Sequence, residues 1–384
     1  MKYDFDKKVV RRNTGCIKWD LGDESVIPMW VADMDFETPQ PVIDAVKKRA
    51  EHGIYGYSFL QDSYYEALIN WMNKRHGWKV QKEWIAFAPG VVPAVNMLVR
   101  ALTQPGDKVI IQSPVYYPFY KAVTNNGCQV IENPLIYEKG RYFMDFEDLE
   151  RKIKDDRVKL LILCSPHNPV GRVWTREELT KLGNLCLKYE VLIISDEIHS
   201  DLIYSGNKHI PFASLSQQFA ENSIVCTAPS KTFNLAGLQT SNIIIPNRKI
   251  RKLYDNVLES NGINEPNVFG IKACEAAYRD GEEWLHELLE YLEDNRDYLI
   301  NYIESHIPEI KAIKPEGTYL VWLDCSKLGM KSEKLHEFFM EKAKVWFDEG
   351  YIFGCGGENF ERVNIACPRA TIEEALKRME MAIK

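Results

Sequence analysis

Short apolar runs recur along the first two thirds of the chain, and helical patterns separate them. Seven of these runs have the length of a strand, at residues 84–88, 108–112, 129–132, 158–164, 191–195, 223–227 and 241–245. Amphipathic segments at 91–103, 116–127 and 175–190 lie between them, and Thr175 with Glu178 forms a capping box at the start of the third. Buried strands alternating with helices predict an α/β fold, in which a mostly parallel seven-stranded sheet is covered on both faces.

The pattern changes after residue 282. A long helical segment at 282–306 precedes a strand at 318–325, a helix at 332–344, a strand at 362–367 and a final helix at 371–384. These elements predict a smaller α+β domain, which the long helix joins to the rest of the chain. We therefore expect an N-terminal segment (1–48) that packs with the small domain, a large domain (49–282) and the small C-terminal domain (283–384).

Composition and charge restrict the function classes. The chain has 384 residues, 45% of them hydrophobic, and a net charge of −7 without a basic block for nucleic acid or an anionic membrane. Its N-terminus is too charged for a signal peptide, and its apolar runs are too short to cross a bilayer. Nine scattered cysteines without a CxxC pair favour reduced thiols over disulfides or a zinc site. We expect a cytoplasmic protein with no metal, no membrane partner and no nucleic-acid partner.

One lysine stands where a charge is unusual. Lys231 lies in TAPSKTFNLAGL (227–238), between the apolar runs IVC and TSNIII. Burying an ammonium group is unfavourable unless a partner or a pKa shift compensates. The residue either ends a strand and faces water, or it is a lysine that forms a Schiff base. The SK pair taken alone favours the first interpretation.

Other polar and aromatic residues follow the predicted strands, at the edge where ligands bind in open α/β sheets. The turn PGVV offers the backbone N–H groups of Val91 and Val92 to an anion, although a plain strand-to-helix turn is the commoner interpretation. Tyr116 and Tyr117 follow the second strand, either as packing residues or as a flat face for a planar ring.

Asn168, Asp196 and His199 leave similar alternatives open. Asn168 precedes a proline, so it is either a turn former or a donor into the cleft. Asp196 ends an apolar strand, where a carboxylate requires a cation, good donors or a helix to cap. His199 is a core histidine or a cofactor contact, since no second His or Cys stands at metal-ligand spacing. An anion cradle, a flat ring, a neutral donor, a carboxylate and a lysine together match the groups of pyridoxal 5'-phosphate.

Several motifs also resemble one enzyme superfamily along essentially the whole chain. They are PMWVADMDF (28–36), YGYS (55–58), SPVYYPF (113–119), SPHNPVGRVW (165–174), SDEIHSDL (195–202), APSKTFNLAGL (228–238) and RVNIACPR (362–369). The sequence resembles the fold-type I pyridoxal-phosphate enzymes of the aspartate aminotransferase superfamily. Within them it is most similar to the MalY/PatB group of cystathionine β-lyase-like C–S lyases, which includes cystalysin.

The resemblance implies a cofactor site with a role for each residue. Lys231 would form the covalent aldimine with the cofactor and later move the substrate proton, and Asp196 would face the pyridine nitrogen. Asn168 would donate to the phenolic oxygen, and Tyr116 would stack on the ring. The phosphate contacts would come from Val91, Val92, Ser230 and, across the subunit boundary of a homodimer with interfacial active sites, Tyr57.

The resemblance implies a substrate site as well. Arg362 would bind the α-carboxylate through a bidentate fork, and the backbone of Ala32 would touch the same group. Tyr117 and Asn168 would also border the substrate, with Tyr117 in a catalytic role. His199 belongs to the same cofactor site, but it replaces a tyrosine of many transaminases, so its role stays open.

Two departures from the transaminase pattern concern the phosphate and the substrate side chain. Ala228 and Gln239 replace a serine and a basic residue that commonly bind the phosphate, so backbone groups, hydroxyls and Tyr57 should hold it here. No second arginine is clearly placed for a distal carboxylate.

The expected activity is β-elimination. Cleavage of cystathionine, cysteine or a related S-substituted amino acid would yield pyruvate, ammonia and a thiol. An aminotransferase is the alternative, because the two reactions share a carbanion and diverge only after it. A regulatory or binding protein that retains the cofactor is a third possibility, although the sequence has no evident helix-turn-helix segment or basic patch.

Overall fold

The computed structural model describes residues 2–263 and 265–384. Its strands, numbered in chain order, are β1 (Ile27–Pro28), β2 (Ile85–Ala88), β3 (Lys108–Ile111), β4 (Gln129–Glu132), β5 (Ile136–Glu138), β6 (Arg141–Phe143), β7 (Val158–Cys164), β8 (Leu192–Asp196), β9 (Ser223–Thr227), β10 (Ser241–Ile244), β11 (Lys311–Ile313), β12 (Leu320–Asp324), β13 (Val345–Trp346), β14 (Asp348–Glu349) and β15 (Phe360–Asn364).

The α-helices are α1 (Ile17–Asp20), α2 (Gln40–Glu51), α3 (Asp62–His76), α4 (Val91–Leu102), α5 (Pro118–Thr124), α6 (Phe146–Ile153), α7 (Arg176–Lys188), α8 (Gln217–Glu221), α9 (Pro229–Thr232), α10 (Arg248–Ser260), α11 (Val268–Asp280), α12 (Glu282–His306), α13 (Ser332–Phe338) and α14 (Arg369–Ile383). Short 3₁₀ turns occupy Lys82–Trp84, Phe212–Ser214, Ala236–Leu238, Ser326–Leu328 and Gly350–Phe353, and a π turn occupies Phe339–Ala343. None of the helices described here combines the length and apolar character needed to span a bilayer.

The large sheet has the strand order β2-β10-β9-β8-β7-β3-β4. β10 is antiparallel to both of its neighbours, and the other pairs are parallel. The carboxyl ends of β7, β8 and β9 therefore meet at one edge, where Cys164, Asp196 and Cys226 are level with one another. The seven predicted strands and the mostly parallel sheet are confirmed, and the predicted strand ends agree with the structure to within one residue.

Alternating side chains of β7 show how the sheet is covered. Leu160 and Ile162 pack into the cluster that contains Leu98 of α4, whereas Leu161 and Leu163 pack into the cluster that contains Leu182 of α7. Successive side chains of a strand point to opposite faces, so helices bury both faces of this sheet. The capping box at Thr175 is present, with its side chain and that of Glu178 each bonded to the other's backbone N–H.

A smaller antiparallel sheet follows, with the order β11-β12-β15-β14. The long helix α12 has the predicted bounds. The strand predicted at 362–367 is β15, which lies at Phe360–Asn364. β15 begins earlier because Phe360 and Glu361 pair with β12, and a local pattern does not record that pairing. The predicted helix at 332–344 is α13 followed by the π turn.

The N-terminal segment contacts the C-terminal part of the chain. β1 is parallel to β13, with Ile27 opposite Val345 and Pro28 opposite Trp346. The backbone N–H of Lys2 also donates to the Glu287 carboxylate on α12. These contacts support the proposed grouping of residues 1–48 with the small domain, while the boundaries at 48 and 282 stay a prediction.

Candidate active site

A cavity of about 170 Å³ opens at the carboxyl edge of the large sheet. The predicted site residues that line it are Ala32, Val91, Val92, Tyr116, Asn168, Asp196, His199, Ser230 and Lys231. They come from segments that are far apart in sequence, and the parallel strands bring them together because ligand-binding loops follow the same ends of those strands. Ligand sites in open α/β sheets occupy this position, so the cavity is the candidate active site.

Lys231 lies on the short helix α9, directly after β9. Its Nζ donates a hydrogen bond to the carbonyl oxygen of Ala32 at 2.6 Å. Burial, and to a smaller extent the nearby Arg362 charge, lowers the pKa of Lys231 to about 8, while Asp33 and Asp196 oppose this shift. A lysine with such a pKa is partly neutral near pH 7, so its amine can act as a nucleophile or as a base.

Asp196 is the last residue of β8 and is 4% exposed. Its Oδ1 accepts a hydrogen bond from the backbone N–H of Ile198 at 3.1 Å. No helix begins there, since the next helical turn after β8 in the described chain starts at Phe212, so the helix-cap interpretation of Asp196 is wrong. Burial raises the pKa of Asp196 to about 7. A cationic N–H group in the cavity would stabilise this carboxylate.

Arg362 is hydrogen-bonded to Asn168, one of the residues that line the cavity. Its Nη1 donates to Asn168 Oδ1 at 3.2 Å, and its Nη2 donates to the carbonyl oxygen of Trp30 at 2.8 Å and to the carboxylate of Asp348. Arg362 is 2% exposed, and its Nε has no hydrogen-bond partner. Arg362 therefore contacts the lining residue Asn168 without lining the cavity itself, and the structure shows a carboxylate partner that the sequence did not reveal.

The start of α4 forms the anion side of the cavity. Gly90 precedes the helix without a side-chain cap, so the backbone N–H groups at Val91 and Val92 point out of the first turn with the positive end of the helix dipole. Ser230 faces the same cavity from α9, and Thr240, which the sequence reasoning missed, adds a hydroxyl. Thr240 directly precedes β10. Because that strand is antiparallel, its start lies at this edge, and a search for residues that follow strands does not find Thr240.

The aromatic residues divide between the cavity and its outer wall. Tyr116 lines the cavity, whereas Tyr117 does not and instead packs edge-on against Phe353 with ring centroids 5.6 Å apart.

His199 is buried at the cavity, and its Nδ1 has no hydrogen-bond partner. Burial holds the pKa of His199 well below its ordinary value, and the Lys231 and Arg362 charges act in the same direction. His199 is therefore a neutral imidazole with an open hydrogen-bonding position.

Tyr57 lies away from the cavity of its own chain. It is 95% exposed and belongs to an irregular segment between α2 and α3. This placement gives Tyr57 no contact with Lys231 or with the start of α4 in the same chain.

The cavity suits pyridoxal 5'-phosphate in the chemistry of its groups. The start of α4 and Ser230 suit a phosphate, and Asp196 suits a protonated ring nitrogen. The unpartnered Nδ1 of His199 and Nε of Arg362 are buried polar atoms that a ligand would satisfy. Lys231 supplies the amine.

Three comparisons with known proteins agree with this geometry. The family model described as aminotransferase class I and II matches residues 24–379. The chain is 48% identical over 385 residues to cystathionine beta-lyase PatB of Bacillus subtilis, which covers 99% of this chain and 100% of that protein. Cystalysin from Treponema denticola, whose crystal structure contains pyridoxal 5'-phosphate, superposes with a TM-score of 0.97 at 43% identity, over 100% of this chain and 99% of that one. The pyridoxal-phosphate-bound C–S lyase from Staphylococcus hominis has a TM-score of 0.94 at 36% identity, covering 100% and 98%.

Proposed function

This chain belongs to the aminotransferase class I and II family, and we propose that it is a pyridoxal-phosphate-dependent C–S β-lyase. Its substrates are cystathionine, cysteine or related S-substituted amino acids, and its products are pyruvate, ammonia and a thiol. The observation that carries the proposal is the meeting of Lys231, Asp196 and Asn168 at one cavity in a chain whose full length matches a cystathionine beta-lyase.

The residues that would hold the cofactor all line the cavity. Val91, Val92 and Ser230 would hold the phosphate, Tyr116 would cover the ring, and Asn168 would donate to its phenolic oxygen. When bound, pyridoxal phosphate withdraws electrons from the Cα atom of an attached amino acid. Asp196 keeps the ring nitrogen protonated, because a buried carboxylate without a cation is unfavourable and a pyridinium N–H supplies one. His199 Nδ1 is left to bond to the cofactor or to water beside it.

Lys231 carries the proton transfer. Its Nζ would hold the cofactor in the resting enzyme, and as a free amine beside a bound substrate it would remove the proton from the substrate Cα. The pKa of about 8 favours this step because more of the amine is neutral near physiological pH than at the ordinary lysine pKa of 10.5. Arg362 and the backbone of Ala32 would orient the α-carboxylate, and Tyr117 would border the substrate in a catalytic role.

We further propose a homodimer in which Tyr57 reaches the phosphate site of the partner. Ile54, Tyr55, Tyr57 and Phe59 are 57–95% exposed in a single irregular segment. A contiguous exposed apolar segment of this size is typical of a protein interface, and a tyrosine presents both an apolar ring and a hydroxyl there.

The nine cysteines are free thiols, which supports a reducing, cytoplasmic location.

One assay tests the lyase against the aminotransferase. The purified holoenzyme is incubated with cystathionine or cysteine without a keto acid, and pyruvate and ammonia are measured. Release of both supports the lyase. Turnover that requires an added keto acid would make the protein an aminotransferase, a reaction that the family match also accommodates. Binding of the cofactor without turnover of any amino acid would favour the third possibility, a regulatory or binding protein that retains the cofactor.

A further inference from the structure

Arg362 is held by a carboxylate from its own sheet. Asp348 and Arg362 are opposite each other in the β14–β15 ladder, with side chains only 5% and 2% exposed, and they form a close ion pair. The same guanidinium is fixed by Trp30 and Asn168. A fully buried ion pair of this kind neutralises the guanidinium charge that a ligand would otherwise meet.

Two aromatic rings lie beside this ion pair. Tyr117 packs on Phe353, whose ring lies under the Arg362 guanidinium with 5.1 Å from its Cζ to the ring centroid. The charged groups that act on the Tyr117 hydroxyl are Asp348, Arg362 and Glu349. Asp348 and Glu349 thus both act electrostatically on the Tyr117 hydroxyl, but only Asp348 is paired with Arg362. Glu349 is itself 3.3 Å from the Nε2 of His336, on the far side of that strand.

We propose that Asp348 is a specificity-determining residue: it makes the site favour amino acids whose side chain is neutral, zwitterionic or cationic over amino acids whose side chain carries a net negative charge. This inference rests on the proposed function, since it takes the ligand to be an α-amino acid with its carboxylate at Arg362. The buried Nε of Arg362, which has no partner in the described chain, remains available to that α-carboxylate.

The discrimination has a simple electrostatic reason. One guanidinium serves both Asp348 and the α-carboxylate, so a second substrate carboxylate finds no free cation there and meets the field of Asp348. An ammonium group at the same place is attracted by that field. Unit charges several ångströms apart in a partly buried site change binding by roughly 10-fold or more.

Two near-isosteric substrates measure this preference. S-(2-aminoethyl)-L-cysteine and S-(2-carboxyethyl)-L-cysteine differ in the charge of the distal group, and both present the same α-carboxylate to Arg362. If a variant disturbs Arg362, both kcat/KM values change alike, and the disturbance cancels in their ratio. We expect the wild-type holoenzyme to favour the aminoethyl substrate by roughly 10-fold or more, and Asp348→Asn to reduce that ratio by roughly 10-fold.

Two further variants serve as controls. Asp348→Glu retains the charge and should retain most of the preference, and Glu341→Gln removes an exposed charge from the same domain and should leave the ratio unchanged. Two results would overturn the proposal. One is a wild-type enzyme that prefers the carboxyethyl substrate, and the other is a folded Asp348→Asn enzyme whose ratio is unchanged.

The test also separates this proposal from the lyase function. If neither compound, nor cystathionine or cysteine, releases pyruvate, the lyase proposal fails. The preference is then measured as the ratio of the dissociation constants of the two amino acids, read from the change in cofactor absorbance. A preference for the aminoethyl compound that Asp348→Asn removes then still supports the role of Asp348, and equal affinities in the wild-type protein contradict it.

Discussion

The Nζ of Lys231 lies 2.6 Å from the carbonyl oxygen of Ala32, although the two residues are 199 positions apart. The hydroxyl of Tyr319 donates to the same oxygen at 2.8 Å. The carbonyl thus gives the free lysine amine a fixed resting position inside the cavity. An amine that is released from the cofactor would have this acceptor nearby, which keeps it close to the substrate Cα.

Replacing Lys231 by alanine should remove the covalent link to the cofactor. The expected result is loss of the visible absorbance band of the holoenzyme and loss of turnover, because no other amine takes the place of Nζ at the cavity. The exposed Lys249→Ala variant is the control and should keep both. A visible band that persists in the Lys231 variant, and that borohydride converts into a cofactor adduct which survives denaturation, would show that a different lysine binds the cofactor.

The amine of Lys231 should react with pyridoxal phosphate in a pH-dependent way. Only the neutral amine is a nucleophile, so the rate at which the ligand-free protein acquires the absorbance band should rise with pH, with a midpoint near 8. Free butylamine, measured in parallel, reports the pH dependence of the cofactor itself. A midpoint at the ordinary lysine value of 10.5 would contradict the effect of burial on this residue.

Asp196→Ala should keep the covalent cofactor and lose most turnover. Without the carboxylate the ring nitrogen is no longer held protonated, and losing such an electrostatic contribution typically lowers kcat by about 100-fold or more. Steady-state kinetics together with the absorbance spectrum measure the two properties separately. Wild-type rates would remove Asp196 from the site.

Asp196→Asn should make the ligand-free protein more stable than the wild type, and this difference should grow as the pH rises. Burial raises the folded-state pKa of Asp196 to about 7 from 3.8, so the folded protein binds more protons than the unfolded chain between these values. Stability from this residue is therefore lost as the pH rises through that window, and the asparagine variant avoids the loss. At pH 8 we expect a gain of about 1–3 kcal/mol in the free energy of unfolding, and none near pH 3.

Denaturant titrations of ligand-free wild-type and Asp196→Asn proteins at both pH values test that sign. Addition of pyridoxal phosphate should reverse the order, because the wild-type carboxylate then has a cationic partner. An equal difference at pH 3 and pH 8 would contradict the assignment of the effect to ionisation of Asp196.

Tyr57→Phe should weaken cofactor affinity by roughly 10- to 100-fold, the value of a hydrogen bond to a charged acceptor. The fold should not change, since one oxygen is removed from a residue that is 95% exposed in the single chain. Equilibrium titration of the ligand-free protein with pyridoxal phosphate measures the affinity. Tyr55→Phe, in the same segment, is the matched control.

Heterodimers of Tyr57→Phe and Lys231→Ala protomers test whether the contact crosses subunits. One site of such a dimer lacks both groups, and the other has both, so turnover at limiting cofactor should return. Proven heterodimers that remain inactive would mean that Tyr57 serves its own subunit or only packs.

Local pattern alone determined much of this protein. The strand runs, the capping box at Thr175 and the placement of Lys231, Asp196 and Asn168 after strands follow from hydrophobic periodicity and from the rule that ligands bind at the carboxyl edge of such sheets. The resemblance added the expected roles of these residues, and those roles remain proposals. Thr240 was missed because it precedes an antiparallel strand, so it lies at the same edge without following a strand.

Tertiary structure decided the contacts between distant segments. Asp348 meets Arg362 only because β14 and β15 pair in one register, and Ala32 meets Lys231 only because the N-terminal segment returns to the sheet edge. Periodicity reports which side chains are buried and where a strand ends, but the partner across a ladder depends on how whole elements pack. For the same reason, the carboxylate that neutralises Arg362 could be identified only in the folded chain.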